Sequence, residues 1–264
     1  MAKSSTTRLH GCALITGGTS GMGLEFARQL AERGLSLVLV ARDGDRLERT
    51  AKVLEWRYSV TVEAIVADLG EEEGREAVAE RLADAERPIE VFVNNAGAGL
   101  YEPLVTDSFE PHKKALDVML WAVLRLGAAA GAAMKDRGHG VIINTASVSG
   151  LVPMGGYSAI KSWAKTYSES LYLQLRSHGV HVTTFMPGWV RTEFHQRTGM
   201  KTSNIPDFLW LEADRAVREC LEDTEAGKVR SIPSKRFKTI AFLAERGPQG
   251  AVRAVVQKIN KGRQ

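Results

Sequence analysis

An α/β fold is what the order of patterns predicts: a single doubly wound parallel sheet with helices on both faces. Three observations carry this expectation. Apolar runs of strand length alternate with helix-period stretches over residues 12–232, and no linker or internal repeat divides them. The first run, Cys12–Thr16, ends in Thr16-Gly17-Gly18-Thr19-Ser20-Gly21-Met22-Gly23 and leads into a helical pattern over 24–33. Much further along, Tyr157 and Lys161 stand four apart on one helix face, ten positions after Ser147.

Composition narrows the class. The 264 residues are 44% hydrophobic and 25% charged, and the formal charge of +4 is too small to argue for a nucleic-acid partner. Cys12 and Cys220 are the only cysteines, so no disulfide framework is expected and a reduced, cytoplasmic setting is the default. Residues 1–10 are polar and lack the apolar core of a signal peptide. No run of about 18 apolar residues is present to cross a membrane. The most apolar long stretch, 122–134, is broken by Arg125 and rich in alanine and glycine, and reads as a buried core helix. His10, His112, His139, His178, His181 and His195 show no metal-ligand spacing, so no metal is expected.

Taken in order, the strand, glycine turn and helix at the start make a dinucleotide-binding opening. Gly17 permits the sharp turn, Gly21 lets backbone approach a pyrophosphate, and Gly23 lets the helix pack close to the strand. Thr19, Ser20 and Met22 line the same turn, and the helix N-terminus favours phosphate. Residues 35–40 form the second strand, followed by Ala41-Arg42-Asp43. An acid at that strand end would hold two ribose hydroxyls. The guanidinium of Arg42 suits a 2′-phosphate instead, which points to NADP(H), although Asp43 lies one position on. A helix is expected over 47–56, a strand over 60–66 closed by Asp68-Leu69, and a charged helix with a solvated face over 71–86. The strand at 89–93 ends in Asn94-Asn95-Ala96-Gly97, small residues against which a dinucleotide can lie. A long helix over 109–134 precedes the central strand at 141–147, which delivers Ser147. The helix 157–177 carries Tyr157 and Lys161. A phenol beside an ammonium should titrate below its usual value of about 10, which suits proton transfer at a carbonyl or alcohol oxygen. A strand over 180–186 runs into Pro187-Gly188-Trp189-Val190-Arg191-Thr192, and the final helix and strand fall at 212–224 and 228–232.

Together, Thr-Gly-x-x-x-Gly-x-Gly from Thr16, Asn-Asn-Ala-Gly from Asn94, and Ser147 with Tyr157-x-x-x-Lys161 resemble the short-chain dehydrogenase/reductase family of classical type. The resemblance covers about residues 11–232. It implies a Rossmann-like sheet of about seven strands and a homodimer or homotetramer. It also implies hydride transfer between NADP(H) and a small-molecule carbonyl or secondary alcohol. Tyr157 would be the general acid or base. Lys161 would lower its pKa and hold the nicotinamide ribose, and Ser147 would hydrogen-bond the substrate oxygen. Asp68 and the Leu69 backbone would line the adenine pocket. Pro187-Gly188 would lie under the nicotinamide, with Val190 backbone and Thr192 on its carboxamide. Three departures stand out. Met119 occupies the place of the family's active-site asparagine, Ala146 replaces a common serine, and the Ser147–Tyr157 gap is short. Ser149 is a second serine, two positions later than the motif asks.

Two segments lie outside the motifs. Residues 193–211, with Phe194, Phe208, Leu209 and Trp210, fall where the family places a substrate lid, and their aromatics suggest an apolar substrate. Residues 234–264 form a basic amphipathic extension, eight Lys and Arg against the single acid Glu245, with helices split at Gly247-Pro248. It reads either as a pair of helices packed on the body or another subunit, or as a contact for an anionic membrane surface. Two further functions stay open: an NADP(H)-binding regulatory or scaffold protein with little turnover, suggested by Met119 and the short gap, and a membrane-associated lipid reductase using the basic tail.

Overall fold

The structure is a computed structural model, and it describes residues 9–192 and 206–261. Its strands are β1 (Cys12–Thr16), β2 (Ser36–Ala41), β3 (Val62–Val66), β4 (Val91–Asn94), β5 (Gly140–Thr145), β6 (Val180–Phe185), β7 (Val190–Arg191), β8 (Leu211–Glu212) and β9 (Arg230–Ser231). Seven of them form one parallel sheet in the order β3-β2-β1-β4-β5-β6-β9, and β7 and β8 make a small separate pair. Both faces of the sheet are covered, which is why its inner strands read as unbroken apolar runs. Within β1 the faces alternate: Ala13 and Ile15 join one core cluster, and Leu14 between them joins the other.

The helices between these strands are α1 (Gly21–Glu32), α2 (Gly44–Tyr58), α3 (Glu72–Ala83), α4 (Glu110–Leu116), α5 (Ala122–Arg137), α6 (Gly156–Leu175) and α7 (Ala213–Glu225). The first core cluster gathers Phe26 and Leu30 of α1, Leu47 of α2 and Val217 and Leu221 of α7. The second gathers Val78 and Leu82 of α3, Leu126 and Met134 of α5, and Leu171 and Leu175 of α6. Asp43 is the N-cap of α2, its carboxylate accepting the Arg46 backbone N–H at 3.0 Å.

Two sequence expectations need refinement. The charged helix α3 is more than a solvated face: Arg81 is 8% exposed and pairs with Glu63 of β3 at 2.9 Å. The long helix foreseen over 109–134 is interrupted by a π-helical turn, Asp117–Trp121, between α4 and α5. The whole stretch, Glu110–Arg137, is long and apolar enough to cross a membrane by length and composition. Its apolar face is used here against the sheet and against α3 and α6.

The tail forms α8 (Lys235–Arg246) and α9 (Gln249–Lys261), split at Gly247-Pro248. Phe237 of α8 is fully buried. It fills the space beside Gly188: a Cβ on Gly188 would lie 2.2 Å from the Phe237 ring.

Candidate active site

The strand order reverses between β1 and β4, so a crevice opens at their carboxyl ends. Thr16 joins its two walls. Its hydroxyl accepts the backbone N–H groups of Asn95 and Ala96, both at 2.9 Å, and its carbonyl accepts the Asn95 side-chain amide at 3.1 Å. The glycine turn rests on this clamp. Gly17 has φ +69°, and a Cβ on Gly23 would stand 2.1 Å from the Gly17 carbonyl. Gly21 has φ +53°, and a Cβ there would meet Thr192 at 3.3 Å, so the glycine turn and the segment after β6 face each other. Ser20 is the N-cap of α1 but makes no side-chain capping bond, and no acid stands in the first turn. That leaves a helix N-terminus built for an anion, on a turn that side chains would fill. These residues fit the pyrophosphate of a dinucleotide. At the far end of β2, Arg42 is exposed and its guanidinium lies 3.7 Å from the Asp68 carboxylate. The same carboxylate accepts the Gly70 N–H at 2.9 Å, and Leu69 is buried in the core.

The three residues expected to be catalytic, Ser147, Tyr157 and Lys161, converge at the end of β5. Ser147 follows Thr145 and Ala146 and begins a short 3-10 turn, Val148–Leu151. Its hydroxyl donates to the Pro187 carbonyl at 3.3 Å and accepts from the Ser149 hydroxyl at 2.9 Å. The same Pro187 carbonyl accepts the Val148 N–H at 3.1 Å. Gly155, at φ +94°, turns the chain into α6. The short gap therefore still leaves Ser147 near enough to the Tyr157 phenol to act on its titration. The Lys161 ammonium lies 5.8 Å from the Tyr157 ring centre and donates to the Thr145 carbonyl at 2.8 Å. Of the lid, residues 193–205, including Phe194, lie outside the described residues. Phe208 is exposed, and Arg191 sits 5.3 Å over the Trp210 ring. Val190 is buried and pairs with Leu211.

A profile described as "short chain dehydrogenase" matches residues 11–202. The chain belongs to the short-chain dehydrogenase family. It is 33% identical to galactitol 2-dehydrogenase (L-tagatose-forming) of Cereibacter sphaeroides, over 91% of this chain and 95% of that one. It is 31% identical to the very-long-chain 3-oxoacyl-CoA reductase of Anas platyrhynchos, over 69% of this chain; the alignment spans only 60% of that relative's length. Among solved structures it resembles a short-chain dehydrogenase from Sphingobium yanoikuyae in complex with NADPH. The identity is 31% and the TM-score 0.81, over 94% of this chain and 95% of that one. It also resembles the bulky-bulky ketone specific alcohol dehydrogenase from Comamonas testosteroni, with 29% identity and TM-score 0.76, over 87% of this chain and 90% of that one.

The electrostatics of this short-chain dehydrogenase site depart from the sequence expectation in one respect. Lys161 was expected to draw the Tyr157 phenol below its ordinary range. Here burial dominates and raises the phenol; the nearby Tyr101 adds to this, and the polar Ser147 side chain opposes it. Burial also lowers Lys161 to about 8. The two groups lose solvent together, and the lysine's charge is directed at the Thr145 carbonyl.

Met119 stands inside the π turn and is buried with Leu100, Ala115 and Ile160, against Tyr157. Its sulfur would lie 3.6 Å from a Cβ on Gly97. Nearby, Asn94 ties β4 to α5, its side-chain amide donating to the Val123 carbonyl at 3.2 Å. Sequence reasoning did not assign that bond, the clamp made by Thr16, or the bond from Ser149 to Ser147. All are side-chain bonds whose partners are distant or turn-dependent, and only the motif spacing hinted at them.

Proposed function

We propose that the chain is an NADP(H)-dependent oxidoreductase acting on an apolar carbonyl or secondary alcohol. The observation that carries the reading is the convergence of Ser147, Tyr157 and Lys161 beside the Pro187 carbonyl, at the mouth of a crevice lined by the glycine turn. The bound nicotinamide would supply or accept the hydride. Gly17, Thr19, Ser20, Gly21 and Met22 would hold its pyrophosphate. Arg42 would hold the 2′-phosphate, and Asp68 and Leu69 would border the adenine. Asn94, Asn95, Ala96 and Gly97 would form the floor, with Pro187, Gly188, Val190 and Thr192 at the nicotinamide. The raised phenol of Tyr157 keeps its proton at neutral pH, which suits donation to a forming alkoxide. Ser147 would hydrogen-bond that oxygen, and Lys161 would stabilise the phenolate left behind.

The relative solved with NADPH supports the cofactor choice. The exposed apolar side chains Leu104, Val105 and Phe109 between β4 and α4, with Phe208, support an apolar substrate. A homodimer or homotetramer is proposed on family grounds. The test is to follow NADPH oxidation across ketones and aldehydes of rising apolar size. Saturable turnover that improves with apolar bulk supports the reading. NADPH binding with no oxidation of any compound would put a non-catalytic cofactor-binding role in its place.

A further inference from the structure

We propose that the outer face of α8 docks the protein on an anionic lipid bilayer. Phe237 and Ala241 turn inward and seat the helix beside Gly188 and Trp189. At 3.6 residues per turn the opposite face, an arc of about 120°, collects Lys235, Arg236, Thr239, Phe242, Leu243 and Arg246. All six are exposed, Phe242 by 63% and Leu243 by 57%.

Two features mark this face. Lys235 and Arg236 make no ion pair within 4 Å among the described residues, and the first turn of α8 holds no acid. Cations at a helix N-terminus oppose the helix dipole, so the fold gains nothing locally from them. The tail's one acid, Glu245, does not neutralise them, because it pairs with Arg230 at 2.9 Å. Beside them two large apolar side chains face solvent. A groove of about 580 Å³ between α7 and the start of α8 adjoins them, its six Lys and Arg set against the three acids Glu219, Glu222 and Asp223.

A bilayer carrying acidic headgroups satisfies both features: phosphates meet the cations, and Phe242 and Leu243 enter the headgroup–acyl boundary. A second copy fits poorly, since eight basic residues against one acid in each tail would face their like.

The test uses the full chain and vesicles of phosphatidylcholine alone or mixed with phosphatidylglycerol. Co-sedimentation is expected with the mixed vesicles only, weakening as salt rises. Lys235→Glu with Arg236→Glu should lower the partition coefficient by about tenfold or more. Phe242→Ser with Leu243→Ser should lower it even at low salt. Both pairs are exposed, so unchanged circular dichroism and melting temperature are expected and separate docking from folding. Equal sedimentation with neutral vesicles, or no sedimentation with either, overturns the proposal. So does full binding by the Phe242→Ser, Leu243→Ser variant. A concentration-dependent dimer that this variant dissolves, without vesicle binding by the wild type, would assign the face to self-association instead.

Discussion

A buried phenol and a buried ammonium pull against each other at this site. Desolvation raises Tyr157 and lowers Lys161, so near neutral pH the tyrosine is protonated and the lysine still charged. Removing the hydroxyl alone, by Tyr157→Phe, should cut reductive turnover by about a hundredfold or more while leaving NADPH affinity near wild type. Steady-state kinetics with a fluorescence titration check both halves. The sign of the pH dependence follows from the lysine. Its ammonium is present below about 8 and lost as pH rises through that value. Reductive kcat/KM should therefore fall across about pH 8, and a profile that stays flat there would remove Lys161 from the proton donor's support. At the other end of the crevice, Arg42 is exposed and only 3.7 Å from Asp68, which leaves its guanidinium able to meet a phosphate. A charge-assisted pair is worth about 1.5–3 kcal/mol, or about tenfold to a hundredfold in affinity. Arg42→Ala should weaken NADPH by that factor and leave NADH unchanged; parallel titrations decide.

At the scale of elements, the π turn at Asp117–Trp121 carries Met119, where the family pattern has an asparagine. The Ala122 N–H reaches back to the Asp117 carbonyl, and the turn is π-helical with a thioether at position 119. Packing against Leu100, Ala115 and Ile160 and the bond from Asn94 to Val123 hold the helix to its strand. A carboxamide put into that apolar cluster would need new partners. Met119→Asn should therefore cost about 1–3 kcal/mol of stability by urea denaturation. Turnover should stay unchanged if cofactor release limits the rate. The sequence showed that Met119 departs from the motif and that the serine–tyrosine gap is short. It could not show that a 3-10 turn and Gly155 at φ +94° would close that gap, because backbone conformation in a loop is decided by what it packs on.

For the molecule as a whole, the tail is tied to the site through one ring. Phe237 is fully buried and fits only because residue 188 lacks a side chain. Phe237→Ala should cost about 3–5 kcal/mol, read from a denaturant midpoint, since it empties a large core position. The Pro187 carbonyl that anchors Ser147 lies next to this contact, so loss of the ring should also raise KM more than a surface change in α8 does. The sheet order β3-β2-β1-β4-β5-β6-β9 sets the geometry on which all of this depends, because it opens the crevice between β1 and β4.

Much of this was decided by local pattern. Unbroken apolar runs separated by helix-period stretches specify a parallel sheet covered on both faces, and glycines at 17, 21 and 23 specify a turn that only such residues can make. These are short-range preferences, and a sequence carries them directly. The direction of the Tyr157 shift, the clamp of Thr16 on Asn95 and Ala96, the bond from Asn94 to Val123, and the burial of Phe237 against Gly188 were decided by tertiary structure alone. Each depends on desolvation or contact between segments far apart in the chain, and no spacing along the sequence encodes how much water is left between them.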